Sequence, residues 1–358
     1  MQYQVCFISI VQMQDSEIKK FLKNWNDIVA EYSTPSVKKA TIQILNSFLP
    51  FIGLWVLMYF SLDWSYWITL GLAAVNAFFL VRIFIIQHDC GHQSFLRSRN
   101  VNNTIGFIAS FFSTIPYKYW ARSHNYHHAH CGQLEVRDIG DIEVLTVEEF
   151  ESLSKAKQIQ YRVFRSPIVM FLIGPIWYLG VTLRLPLVDL KGWKKTYRSQ
   201  FFSNVYMLLV YALLGTIIGW QEFFMVQVPI IVLFGVIAVW FFYVQHQHED
   251  TYKQWKENWE YLLAAIKGST HYKLPKLVQW LTGNIGFHHI HHLGPKIPNY
   301  NLEKCYNENP VLNKFVTSVT FKESLKCMFN KLWDEEQQKM ITFREYKNLS
   351  RTKTKLAA

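Results

Sequence analysis

Residues 66–92 read YWITLGLAAVNAFFLVRIFIIQHDCGH. Residues 66–86 are apolar enough to cross a hydrocarbon core, which takes about 20 residues in a helix. Arg82 is their only charge and lies near the end. The last five residues are His88-Asp89-Cys90-Gly91-His92. With no turn signal between the two parts, one helix is expected to leave the membrane and present two imidazoles on one face, a turn apart.

Two further clusters repeat that spacing: His124-Asn-Tyr-His127-His128 and His288-His289-Ile-His291-His292. Only His130, His246, His248 and His271 fall outside the three clusters, and no histidine precedes His88 or follows His292. Residues at i, i+3 and i+4 share a helix face, so each cluster points two or three imidazoles the same way. Imidazole is the commonest metal ligand and suits iron, zinc and copper. Eight histidines have ligand spacing: His88, His92, His124, His127, His128, His288, His291 and His292. His246, directly after another apolar run, is a ninth candidate. Eight or nine neutral ligands are too many for one ion. Two ions sharing them keep a large positive charge and open positions, which suits dioxygen activation at iron better than a closed structural zinc site.

Ligating imidazoles need acceptors that fix their tautomers. Asp89, Asp138, Asp141, Glu249 and Asp250 are near in sequence. His289 lies off the face shared by its neighbours, and Cys90 points away from His88 and His92. His130, His248 and His271 read as surface or outer residues. A single i, i+4 pair is most often a surface accident, but three such clusters are not.

The chain has 358 residues, half of them hydrophobic, and a net charge of +11. On a soluble protein such charge suggests a nucleic-acid partner, but no such motif is present. The apolar residues gather in long runs, so the charge reads as the positive-inside bias of a membrane protein. The opening stretch, Met1 to Pro35, is mixed and charged and does not read as a secretory signal peptide. Cys6, Cys90, Cys131, Cys305 and Cys327 form no C-x-x-C pair and read as free thiols.

Four spans are expected, over about 41–61, 66–86, 201–220 and 225–244. They form two hairpins joined by Leu62–Ser65 and Gln221–Phe224. Neither link carries a lysine or arginine, so both links face outward and the rest faces the cytoplasm. Residues 104–115 are too short to span, and Gly174-Pro175 interrupts 167–187; both read as interfacial or re-entrant. Exactly one extra crossing would put the third cluster on the opposite side from the first. With four spans, all three share the cytoplasmic side. Thr146 and Glu149 have capping-box spacing, with a polar helix expected from there to about Arg165. The tail from Lys347 is basic and expected to fray.

The boxes H-x-x-x-H, H-x-x-H-H and H-x-x-H-H, in this order and framed by two hairpins, resemble those of the membrane fatty acid desaturase family over roughly residues 40–300. That resemblance implies an all-α integral membrane fold, with four transmembrane helices in two hairpins under a cytoplasmic helical cap that holds a di-metal site. It divides the chain into a cytoplasmic segment 1–40, a desaturase domain 41–300 and a cytoplasmic segment 301–358. It implies a non-haem di-iron oxidoreductase that uses dioxygen and two electrons to place a cis double bond in the acyl chain of a membrane lipid or acyl thioester. The three residues inside the first box are similar to the acyl-lipid and methyl-end branch. His288 opening the third box disfavours the front-end branch, which usually carries glutamine there. His246 resembles the family's additional ligand, and Asn284 stands where related enzymes use an asparagine through water. No fused haem domain is seen, so a separate donor such as a ferredoxin-like protein is implied. Lys118, Arg122, Lys191 and Lys194 could attract such an acidic donor or lipid phosphate, although plain positive-inside bias explains them equally. A membrane di-iron hydroxylase or ketolase of alkanes, sterols or carotenoids would use the same boxes. A metal transporter would carry ionisable residues near mid-membrane, where these spans have almost none.

Overall fold

The computed structural model describes residues 15–188 and 191–357, with side chains to Thr352. Four long apolar helices dominate it: α1 (Val37–Ser61), α2 (Tyr66–Gly91), α6 (Lys194–Ile218) and α7 (Trp220–His246). Each is long and apolar enough to cross a membrane. Ser36 starts α1 by accepting the Lys39 amide, which satisfies one of the donors a helix start leaves unpaired. α2 packs against both α1 and α7. Ala73, Ala77, Leu80, Ile83 and Ile86 are fully covered along it.

Two polar side chains inside this apolar bundle find acceptors for their donors, which are costly to bury unpaired. Asn76 donates to the Phe51 carbonyl at 3.2 Å. Arg82 donates to Ser47 Oγ at 3.2 Å, to Asn46 Oδ1 at 2.9 Å and to the Trp280 carbonyl.

The turn between the last two long helices lies earlier than Gln221–Phe224. Gly219, at φ +95°, ends α6, and Trp220 already starts α7. Only glycine takes such a φ without strain, and residues 221–224 are helical.

Between the two helix pairs, α3 (Arg99–Ser113) and α4 (Tyr117–His130) cross at close range. α3 begins five residues before the short apolar stretch expected there. A Cβ on Gly106 would run into the Tyr117 ring, so glycine sets that approach. The Tyr117 hydroxyl donates to the Cys90 carbonyl at 2.7 Å, tying α4 to the end of α2.

Thr146 and Glu149 do form a capping box, but the helix behind it stops at Ser152. Ser154 then caps a second one, α5 (Lys155–Phe164). The following helical segment, Val169–Thr182, is bent from α5 by 57°. Its α-turn at Gly174–Trp177 has π-type turns on both sides, because Pro175 has no amide to donate. Gly235 on α7 lets Pro175 and Leu179 pack directly onto that helix.

The fold is mostly helical but not all-α, a correction to the sequence expectation. β1 (Leu145–Thr146) pairs in parallel with β4 (Asn330–Asp334), which pairs antiparallel with β5 (Lys339–Thr342). β2 (Thr270–Lys273) pairs in parallel with β3 (Thr317–Thr320). Each of these strands is five residues or fewer, too short for periodicity to reveal. α8 (Lys276–Leu281) follows β2, α9 (His288–Leu293) carries the third cluster, and α10 (Asn299–Glu308) comes next. α11 (Phe321–Cys327) follows β3.

The tail is helical, not frayed: α12 runs from Phe343 to Ala357. Phe343, Tyr346 and Leu349 on it pack against Phe150 and Tyr161. Arg165, fully buried, joins three parts of this region. It donates to the Glu143 carbonyl, to Tyr243 Oη and Gln247 Oε1 beside His246, and to the Asn330 carbonyl.

Candidate metal centre

Four helices deliver the histidines. α2 ends at His88 and His92, α7 ends at His246, α4 carries His124, His127 and His128, and α9 carries His288, His291 and His292. All nine are buried. The donor atoms of His88, His92, His124, His128 and His291 lie within 4.8 Å of one another. His127, Cys131, His246 and His292 form a second set within the same limit. His288 joins that second set, its Nε2 being 2.9 Å from His246 Nε2. The sets are adjacent: the His128 and His292 rings stack at 4.1 Å.

Hydrogen bonding cannot satisfy these nitrogens. His128 Nε2 is 3.0 Å from both His124 Nε2 and His291 Nε2. His246 Nε2 similarly faces His127 Nε2 at 3.3 Å. His92 Nε2 and His292 Nε2 are buried with no partner. Each Nε2 of a neutral imidazole carries either one proton or one lone pair, so three that converge cannot all be paired. A buried cation is the partner that suits such a set.

Burial also keeps the rings neutral. It pushes His92, His124, His128, His288, His291 and His292 well below the usual histidine range, and each ring's neighbours lower it further. His127 is lowered by burial too, with Asp141 opposing the shift. Neutral imidazole is the form that binds metal.

The outer nitrogens of His88, His92, His127 and His246 face acceptors. His88 Nδ1 lies 3.0 Å from Asp89 Oδ1, and Asp89 Oδ2 accepts the Asn299 amide at 2.6 Å and its side chain at 2.8 Å. Asn299 Oδ1 in turn accepts from Gln43 Nε2 at 2.9 Å, which reaches α1. His92 Nδ1 donates to Asn125 Oδ1 at 2.8 Å, and His246 Nδ1 to the Gly268 carbonyl at 3.0 Å. Asp141 Oδ2 is 3.9 Å from His127 Nδ1. Such contacts leave the Nε2 of these four rings free to ligate.

Asn125, Asn299 and Gly268 were not singled out in the sequence. Asn125 had a signal, being the one amide inside the second box. Asn299 and Gly268 reach the site only through tertiary packing.

Cys131 was also missed. Its Sγ lies 3.6 Å from His246 Nδ1, the nitrogen already bonded to Gly268. Burial pushes its thiol up.

The remaining candidates lie elsewhere. Asn284, at φ +58°, donates to the carbonyl of Asn299, whose side chain bonds Asp89, at 3.2 Å. His248 lies against the Lys267 carbonyl, His289 against Asn313, and His130 against the Tyr126 carbonyl. Glu249 pairs with Lys339. Arg122 donates to the Gly192 carbonyl and Thr196 and stacks on Trp193, which gives it a structural place.

An open cavity of about 590 Å³ reaches the first set, with His92 and His128 in its wall. Its only charged lining residues are Arg99 and Lys296. Lys296 donates to the His92 carbonyl at 2.6 Å.

A family model described as fatty acid desaturase matches residues 64–320. The chain is 44% identical over 338 residues to a fatty acid desaturase of Bacillus subtilis, covering 94% of this chain and 95% of that one. It is 26% identical over 263 residues to an sn-1 oleoyl-lipid 12-desaturase of Anabaena variabilis, covering 70% and 71%. It is also 27% identical over 288 residues to a chloroplastic omega-6 fatty acid desaturase of Arabidopsis thaliana, covering 74% and 58%. With its boxes converged in space and this match over most of its length, the chain belongs to the fatty acid desaturase family.

Proposed function

We propose that the chain is an acyl-lipid desaturase with two irons, one held by each histidine set. His88, His92, His124, His128 and His291 would hold the first iron. His127, His246, His288 and His292 would hold the second. The observation that carries this reading is the pair of adjacent sets whose Nε2 atoms converge with no other partner. Bound there, the irons would supply dioxygen and one-electron chemistry that side chains lack. The overall change takes one hydrogen from each of two adjacent methylenes. With two electrons, two protons and dioxygen, it yields a cis double bond and two waters.

The protein's own part is position and shelter. Asp89, Asn125 and Asp141 orient the imidazoles, and Trp120, stacked on His124 at 4.5 Å, covers the first set from the bundle side. The α1–α2 and α6–α7 pairs act as membrane hairpins, and α4, α9 and the segments around them form a cap over the ends of α2 and α7 on the cytoplasmic side. Residues 1–40 and 301–358 are read as cytoplasmic segments flanking the desaturase domain. The lipid carrier is supported by the resemblance to the sn-1 oleoyl-lipid enzyme.

An acidic electron carrier fits the open cavity. Two histidines of the first set line it, its charges are both positive, and no carboxylate is among its lining residues. The test is the membrane fatty acid profile, by gas chromatography with mass spectrometry, in a host supplied with a ferredoxin-type donor. A new unsaturated species with the intact chain and none with His127→Ala is the expected result. A new hydroxy or keto product would reassign the chemistry.

A further inference from the structure

The parallel strands β2 and β3 each lead into a short helix, α8 and α11, at the same end of their two-stranded sheet. These two helices and the second residue past α11 expose five large apolar side chains: Leu277 at 67%, Trp280 at 40%, Phe321 at 60%, Leu325 at 42% and Phe329 at 52%. Lys273, Lys276, Lys322 and Lys326 are exposed among them. The only acid in either segment is Glu323, which is taken up by its capping box with Thr320. An apolar face rimmed by lysines is the pattern of a helix lying in a membrane interface.

The unit also sits at the right level. Trp280 packs edge-on against Phe79 of α2 at 6.2 Å and lies under the Arg82 guanidinium at 3.8 Å. On the other side, Trp240 of α7 donates to Tyr272 Oη at 3.3 Å, and that hydroxyl meets Ser324 of α11 at 2.9 Å. Phe79 and Trp240 precede the histidines of their helices by nine and six residues (His88 and His246). At about 1.5 Å per residue this is roughly 9–14 Å toward the membrane from the metal centre. The exposed face is therefore continuous with the lipid-facing surface of the spans.

We propose that α8 and α11 form a paired docking surface for anionic lipid headgroups, fastening the cap to the bilayer. Their apolar side chains enter the interface, and Lys273, Lys276, Lys322 and Lys326 take the headgroup phosphates. The unit is joined to the third box as well, because the Tyr272 amide donates to the Gly286 carbonyl at 2.8 Å, two residues before His288. The proposal depends on the spanning role of the long helices and not on the chemistry at the metals.

The test uses the full chain in nanodiscs of phosphatidylcholine with and without phosphatidylglycerol. An environment-sensitive fluorophore is placed on Leu325→Cys, with Leu208→Cys in α6, 68% exposed, as the spanning control. Background labelling is subtracted with the unsubstituted chain. Lipid-borne quenchers are expected to quench both labels and aqueous iodide neither. The chain should also retain phosphatidylglycerol preferentially through purification. A basic residue near an anionic surface strengthens attachment roughly fivefold. The fourfold variant Lys273→Glu, Lys276→Glu, Lys322→Glu, Lys326→Glu should thus lose at least about tenfold of that preference while its helical content is unchanged.

Iodide quenching at Leu325→Cys with lipid quenching at Leu208→Cys would overturn the proposal. So would protection from both quenchers that grows with protein concentration, which marks a second copy or another protein on the surface. Lipid quenching with no phosphatidylglycerol preference would overturn the headgroup assignment. Iodide quenching at Leu208→Cys as well would instead remove the membrane reading itself.

Discussion

His88, His92 and His246 are fixed from the outer side as well, and that outer partner is where single substitutions are most informative. Asp89 is bonded to His88 and Asn299, so Asp89→Asn keeps the volume and removes the charge that orients the imidazole. Loss of an outer-shell partner typically costs about 10–100-fold in metal affinity. That loss is expected here, read as iron retained through dialysis against a chelator; unchanged retention would contradict it. Cys131 gives the opposite expectation. Its Sγ lies against the His246 nitrogen that Gly268 already occupies, so it is expected to make no bond to metal. Cys131→Ala should keep its iron, and the intact protein should show no thiolate-to-iron charge-transfer band. The box histidines were legible because ligand spacing on a helix face is a local property. Asn299 was not, since only folding brings it from α10 to the end of α2.

Among the elements, those whose reason is local were also the readable ones. The second span runs straight into its box because nothing in residues 66–92 interrupts a helix, and α2 does so. The α6–α7 turn was misplaced because Trp220 and Phe223 are as apolar as the spans, and only the φ of Gly219 marks the break. The short strands escaped because four residues carry too little pattern. The α3–α4 crossing supplies a prediction: Gly106→Ala forces the new methyl into Tyr117, whose hydroxyl holds the Cys90 carbonyl. Overpacking of this kind costs about 1–3 kcal/mol. A thermal midpoint lowered by several degrees is expected, and an unchanged one would show that the helices can part without cost.

For the whole molecule, burying so many imidazoles sets a pH dependence. Burial holds His124, His128, His291 and their neighbours well below 6.5 in the fold. In the unfolded chain they take up protons as pH falls through about 6.5. Between that value and the depressed folded values the unfolded state binds more protons, so stability falls as pH falls. Metal-free protein in nanodiscs should melt lower at pH 5 than at pH 7.5, and a flat profile would contradict the buried neutral cluster. The same burial takes more than the four long helices. Helices at the membrane's edge can aim imidazoles, but only α4, α9 and the segments around them enclose the imidazoles.

The central claim is that two metals sit side by side in this enclosure. Elemental analysis of the purified protein, with Mössbauer spectroscopy of isotope-enriched samples, tests it most directly. About two irons per chain in nitrogen-rich, high-spin sites are predicted, with about one lost in His127→Ala. One metal or none in the intact chain, or zinc filling both positions, would contradict it.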